Sequence, residues 1–299
     1  MASTSLEARE RTTPLCASMV GYAAIHVGAL GVLVVPGALS IGLLILLVTY
    51  YVRAIGLGAG YHRYFAHRSF KTGRVMQVVL ALLGLTAFQR GPLWWGETHR
   101  RHHRRADTPD DLHSPHQQGF WYAHSGWFFD PIFYGTKLDG IADLAKYPEL
   151  VWLDSPFATR IVMVLYAAGL WALFGLHGFV WGFCLSTVCL WHTVHWIQSM
   201  SHSVGGYRHF ATPDHSRNHW GLGLISLGEF HNNHHYRPSS AIQGYKWWEI
   251  DIVFWLLRAL GVLGLVWDIK DTLHDPPRLY APRGPRATSG NEPALEPSA

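Results

Sequence analysis

Two stretches of this chain, Leu15 to Val52 and Ile161 to Tyr207, contain no Asp, Glu, Lys or Arg, and no other property limits the fold so severely. A helix that crosses a bilayer needs about 20 apolar residues, so each run has room for two short spans. The first run turns at Pro36-Gly37 and the second near Gly175-Leu176-His177-Gly178. Four spans result, at about 15–35, 38–59, 159–175 and 178–198, arranged as two helical hairpins.

The remainder faces water. Charged residues make up 15% of the chain, hydrophobic residues 49%, and the mean hydropathy is only +0.07, which suits a membrane protein with a large polar portion. A net charge of +4 does not indicate a nucleic-acid partner, because the basic residues flank apolar runs and form no single patch. Residues 1–14 form a polar tail and residues from Pro276 a disordered one, leaving one domain over 15–275. Glu7, Arg9, Glu10 and Arg11 precede an apolar run too long for a secretory signal. Val75 to Gln89 is too short to span and reads as an interfacial or buried helix. Tyr245 to Lys270 mixes Trp with charges and reads as an amphipathic surface helix. Cys16, Cys184 and Cys189 all lie in apolar stretches, as buried small hydrophobes do. The glycines of GLGAG lack a preceding strand and the spacing of a dinucleotide loop. Neither hairpin turn carries Lys or Arg, so the positive-inside rule puts both termini and the segment 53–160 in the cytoplasm.

That face carries the chemistry. Of 20 histidines, eight fall in three boxes: His62 and His67 in HRYFAH, His99, His102 and His103 in HRRHH, and His231, His234 and His235 in HNNHH. Residues at i, i+3 and i+4 of a helix share one face, so the three imidazoles of one box are expected to converge on one metal centre. His195, Gln198 and His202 also face one way at the end of the fourth span. With His202 the count is nine, too many for one metal and suited to two. Neutral imidazole suits Zn, Cu, Fe and Ni. Beside an apolar interior, such a site points to redox chemistry on an acyl chain. An unactivated methylene offers acid–base groups no acidic proton, whereas a metal centre using dioxygen can oxidise it.

Together with GFWYAHSGW, SHSVGGYRHF, DHSRNHW and GYKWWEID, these boxes resemble the membrane fatty-acid desaturases of the acyl-CoA (stearoyl-CoA) Δ9 type, bacterial members in particular, from about Gly56 to Asp268. The resemblance implies an all-α integral membrane protein with four transmembrane helices and a cytoplasmic helical cap, in a bacterial cytoplasmic membrane. It implies two iron ions held by His62, His67, His99, His102, His103, His202, His231, His234 and His235, with Gln198 at a tenth, water-mediated position and Trp95 against the substrate. Such an enzyme reduces O2 to water and leaves a cis double bond, Δ9-like, in a saturated acyl chain carried on CoA, with acyl carrier protein or intact lipid as the alternative carriers. No haem or flavin segment is present, so its electrons come from a separate ferredoxin, rubredoxin or b-type cytochrome.

Three positions depart from the family pattern. Gln198 stands where the family has Asn, one methylene shorter. Gly228-Glu229-Phe230 approaches the last box with one residue fewer. Glu97 replaces an Arg that holds CoA phosphates in animal members, and its charge repels phosphate. His195 reads as a hydrogen-bonded core histidine. His113, His116, His124, His209, His215 and His219 read as partners of ligands or as surface groups, and Asp107, Asp110 and Asp111 as partners or solvated loop acids. Trp94 reads as an interface anchor or part of the tunnel wall. Arg100, Arg101, Arg104 and Arg105 read as phosphate binders or simple positive-inside charges. A hydroxylase or acetylenase would use the same site. A histidine-rich metal transporter would need ligands at mid-membrane depth, whereas these boxes follow the spans.

Overall fold

The computed structural model describes residues 18–35 and 39–275. The expected turn at Pro36-Gly37, both tails and Cys16 lie outside the described residues. An apolar helix Ser18–Leu33 (α1) is followed by Leu39–Ile55 (α2), which runs on as a π-helix through Gly56–Ala66. Next come Arg74–Leu85 (α3) and Pro92–Arg105 (α4), then a cap of short helices, and then Pro156–His177 (α5). A π-helical stretch, Gly178–Leu185, leads into Ser186–Ser199 (α6), and His231–Tyr236 (α7) and Ile252–Val262 (α8) complete the helices that matter here. Lys71–Thr72 and Val266–Trp267 pair antiparallel and fasten the end of α8 to the start of α3.

Among the described residues, two helical runs are long and apolar enough to cross a membrane, Ile41–Ala66 and Pro156–His202. The second reverses direction inside its length. Gly175 has φ 58° and ψ −141°, a conformation open to glycine because it lacks a Cβ. Beyond it the chain folds back on α5, so closely that a Cβ on Gly178 would sit 2.1 Å from the Leu170 carbonyl oxygen. α1 and α2 approach the same stretch through small residues: Gly28 abuts Cys184, Gly31 abuts Val180, and Gly42 lies on the Trp181 ring. The outward faces of these helices stay apolar, with Leu44, Val48 and Val52 on α2 and Val164, Leu165 and Leu173 on α5 all exposed. Contiguous apolar exposure on that scale is uncharacteristic of a protein surrounded by water.

α2 does not stop near residue 59. The glycines that follow Ile55 do not break the helix, because α3 lies against them: a Cβ on Gly56 would meet the Leu83 backbone at 2.6 Å, and one on Gly60 the Leu80 oxygen at 2.8 Å. Gly56→Val is therefore expected to destabilise the protein by about 1–3 kcal/mol, the usual range for overpacking. Thermal denaturation in detergent measures this. Gly169→Ala, where an added Cβ meets nothing within 4 Å, should cause no comparable loss.

Inside this bundle Arg53 is fully buried. It donates to the carbonyls of Thr49 and Thr86 and to the hydroxyls of Ser186 and Thr187, tying α2 to α6. The amphipathic surface helix expected over Tyr245 to Lys270 is not what forms: α8 covers only Ile252–Val262, Glu249 and Asp251 lie buried before it, and it buries Val253, Phe254 and Leu257 while the apolar Ile252, Trp255 and Val262 are exposed.

Candidate metal centre

Four separate pieces of chain carry the histidines to one place. α4 starts at Pro92, with the loop side chain of Asp154 accepting from Leu93 N and Trp94 N at 2.9 and 2.8 Å and so serving as a remote N-cap. At the end of α2 the π-winding is decisive. His67 N donates to His62 O at 3.1 Å, so residues five apart stack where an α-helix would splay them by about 140°. Arg63, between these two histidines, forms a buried ion pair with Asp251 at 2.9 Å. Asp251 in turn caps α8 through Phe254 N. Gly228 packs against Asp251 at φ +124°, where a Cβ would lie 2.6 Å from the Asp251 Cα. These contacts fix the entry to α7.

The nine histidines separate into two groups, His62, His67, His99, His103 and His234 in one and His102, His202, His231 and His235 in the other. The expectation that each box serves a single centre is not met. In α4 the i, i+4 pair His99 and His103 joins the first group and His102 the second. In α7 the i, i+4 pair His231 and His235 joins the second and His234 the first. The helices face each other across the gap, so each gives its pair to one side and its intermediate residue to the other.

Within each group, ring nitrogens meet without an obvious proton between them. Nε2 of His234 lies 2.9 Å from Nε2 of both His62 and His103, His99 and His103 are 3.1 Å apart, and His202 and His231 are 2.8 Å apart. Two ligands at right angles around a metal, each about 2.1 Å away, are separated by about 3.0 Å. The observed spacing fits that arrangement.

Carboxylates at the far ring nitrogens settle which nitrogen carries the proton. Nδ1 of His102 donates to Asp111, that of His202 to Asp107 and that of His235 to Asp214, each at 2.8 Å. Nδ1 of His62 lies 3.0 Å from Oε2 of Glu229, whose other oxygen lies 3.7 Å from Nδ1 of His231. Glu229 thus stands between the two groups. With its amide nitrogen turned to Glu229 Oε2 at 2.9 Å, Gln243 presents its other end to Nδ1 of His234 at 3.4 Å. Each such bond leaves Nε2 with a free lone pair aimed at its group. Asn232 and Asn233 of the HNNHH box point the other way: Asn218 accepts from both their backbone N–H groups, and Asn233 donates to Gln243 O and Glu249.

Burial opposes ionisation of Asp107, Asp111 and Asp214, but their histidine partners outweigh it and hold all three well below the usual carboxylate range. Burial also opposes ionisation of Glu229, and His62 and His231 overcome it in the same direction. Burial pushes His67, His99, His103, His231 and His234 well below their ordinary value, and His235 down to about 4. His102 is raised, because Asp111 overcomes its burial. Neutral imidazoles are the form that binds metal.

A pH dependence follows for the metal-free protein. The depressed histidines take up protons in the unfolded chain from about pH 6.5 downwards, before the folded chain does. Their stabilisation is complete above that pH and is lost as the pH falls, with a further loss from the carboxylates below about pH 4. After chelation, the melting temperature should fall steadily between pH 7 and 5, and a flat profile would contradict this assignment.

A chamber runs from the histidines His62, His99, His102 and His231 to Tyr50, Ala54, Leu57 and Leu190. Trp95 lines it and stacks on His99 with centroids 4.8 Å apart. Trp94 is buried and is no interface anchor: it packs against Trp127, its indole donates to Phe133 O at 2.7 Å, and it lines an adjoining cavity that shares Trp95, Val194 and Gln198 with the chamber. Gln198 lines the chamber but belongs to neither group, and its Oε1 accepts from Trp127 Nε1 at 3.3 Å. Arg100 is turned inward onto the carbonyls of Phe65 and Ala66 and onto Asp143, while Glu97 is buried with Arg101 3.8 Å away. Asp110 is exposed beside Arg105. His113 is buried and stacked on His102, and His116 donates to His202 O. Sequence reasoning assigned no role to Asp214 or Gln243, and it placed Glu249 and Asp251 on a surface helix, whereas both are buried. Three of these four sit inside the segments DHSRNHW and GYKWWEID, whose content of buried-type polar residues was the available signal.

Comparison with known proteins agrees with this chemistry. A family model described as fatty acid desaturase matches residues 11–267. An sn-2 palmitoyl-lipid 9-desaturase of Nostoc sp. (strain 36) is 37% identical over 80% of this chain and 83% of its own. Delta-9 acyl-lipid desaturase 1 of Arabidopsis thaliana is 38% identical over 75% and 73%. A hex-5-enoyl-[acyl-carrier protein] acetylenase of Moorena producens (strain JHB) is 35% identical over 72% and 73%.

Proposed function

Since the chain belongs to the fatty acid desaturase family and is a fatty acyl desaturase, we propose that its two histidine groups hold two iron ions and that O2 is the co-substrate. When bound, such a pair supplies the oxidising power that removes two hydrogens from adjacent unactivated methylenes. The observation that carries the reading is the division of nine histidines into two adjoining groups, with the His103 and His235 rings 4.3 Å apart, beside an apolar chamber. The chain's own residues do the remaining work. Leu57, Leu190 and Ile197 exclude water and hold the acyl chain, Trp95 sets its position against the histidines, and Asp107, Asp111, Asp214 and Glu229 hold the imidazoles in orientation. Gln198 holds a water toward the second group, its longer side chain braced by Trp127.

The surrounding architecture is four spans in two hairpins, α1 with α2 and α5 with α6, with the histidine face and both termini in the cytoplasm of a bacterial cell. The distribution of Lys and Arg supports this orientation. Electrons arrive from a separate protein carrier of the ferredoxin, rubredoxin or b-type cytochrome class. The acyl chain is carried on a membrane lipid, a reading supported by the lipid-named relatives and by an acid at Glu97 in place of a phosphate-binding Arg. The acetylenase among the relatives makes triple-bond formation at the same site the second reading.

Expression in a host lacking desaturase, followed by gas chromatography with mass spectrometry of its lipids, tests both. A new cis-alkene in lipid-linked chains ahead of the thioester pool is expected. An acetylenic or hydroxylated acid with no new alkene would sink the desaturase reading, and an alkene appearing first on CoA or acyl carrier protein would sink the lipid assignment.

A further inference from the structure

A third group of histidines lies outside the nine. His192 and His195 stand on α6, His124 comes from the short cap helix Phe120–His124, and one ring nitrogen of each lies within 4.8 Å of the others. Hydrogen bonds around the group determine where its protons are. His26 on α1 donates from Nδ1 to Tyr22 O at 2.8 Å, so its Nε2, 3.0 Å from Nε2 of His192, is an acceptor. The proton of His192 is therefore on Nε2, and its Nδ1 is bare. On the other side, Ser199 gives its hydroxyl proton to His195 O and so accepts from Nδ1 of His124 at 3.0 Å. Nε2 of His124 is then bare as well.

These two bare nitrogens, Nδ1 of His192 and Nε2 of His124, face each other at 3.0 Å. Two lone pairs at that distance repel unless a cation lies between them. The third member, His195, is 6% exposed, and its Nδ1 has no hydrogen-bond partner among the described residues. Ionisable groups held in an apolar helix are costly to keep without a use. We propose that His124, His192 and His195 form a separate site for one divalent transition-metal ion of the zinc class, for which three imidazoles are a suitable donor set. The ion clamps the cap helix to α6 next to Val194 and Gln198, which line the substrate chamber. The site is independent of the two iron centres.

The test uses the purified full-length protein in detergent, incubated with Zn2+ alone, desalted and analysed for metals by mass spectrometry. The wild type is expected to retain about one zinc per chain more than His192→Ala/His195→Ala, with iron content equal in the two. His124→Ala, which alters a different element, should lose the same equivalent. Equal zinc in wild type and variants would overturn the proposal. So would a wild type that retains less than one zinc per chain, which needs no variant to interpret and is the result a shared proton would produce. Because iron is counted in the same samples, failure of the two-iron reading would appear separately from failure of this one.

Discussion

His234→Ala is expected to reduce double-bond formation by more than about 100-fold, beyond the 10–100-fold typical of groups one step removed from a metal. His234 occupies the middle of the five-histidine group, with its Nε2 2.9 Å from those of both His62 and His103. Removing it leaves four histidines there, whereas His231→Ala leaves three in the other group. Both variants should lose activity, but His231→Ala should lose its iron more completely, falling from about two to about one per chain. Fatty-acid analysis of expressing cells and metal analysis of the purified protein measure the two effects. The exposed His274→Ala variant should match the wild type. Near-normal desaturation by His234→Ala with two irons retained would refute the ligand assignment.

Glu229→Gln should cost about 10–100-fold in activity or iron affinity. The amide has nearly the shape of the carboxylate, so a loss cannot be ascribed to a cavity. What disappears is the negative charge that faces Nδ1 of His62 in one group and of His231 in the other. Because one carboxylate serves both groups, both irons should be affected, in contrast to a variant such as Asp111→Asn that touches His102 alone among the nine. Asp110→Asn, at an exposed position in the same loop as Asp111, should leave activity intact. Full activity in Glu229→Gln would show that the carboxylate does not orient either ring.

The shortened approach Gly228-Glu229-Phe230 acquires a meaning here. With one residue fewer, the chain enters α7 through positive φ at Leu227 and Gly228, and Glu229 falls between the two groups. Spacing marked the departure but could not say where the carboxylate would point, because that depends on Gly228 closing on Asp251 and on Arg63 holding Asp251 from another helix.

By itself, the sequence determined the apolar runs, the reversal at Gly175, the nine histidines and the reaction class. These depend on local pattern: charge-free length, a residue able to adopt positive φ, and imidazoles spaced to share a helix face. The tertiary structure alone decided how the histidines divide between two groups. A box of i, i+3 and i+4 splits only when two helices face each other across a gap, and His62 and His67 align only because glycines packed on α3 accompany a π-helical path. It also decided which acids matter, since Asp107 and Asp111 turn onto their rings while Asp110 faces solvent, and it joined His124 to His192 and His195 across 68 residues of chain. Such pairings depend on long-range packing, which carries no periodic signal in the residues that make them.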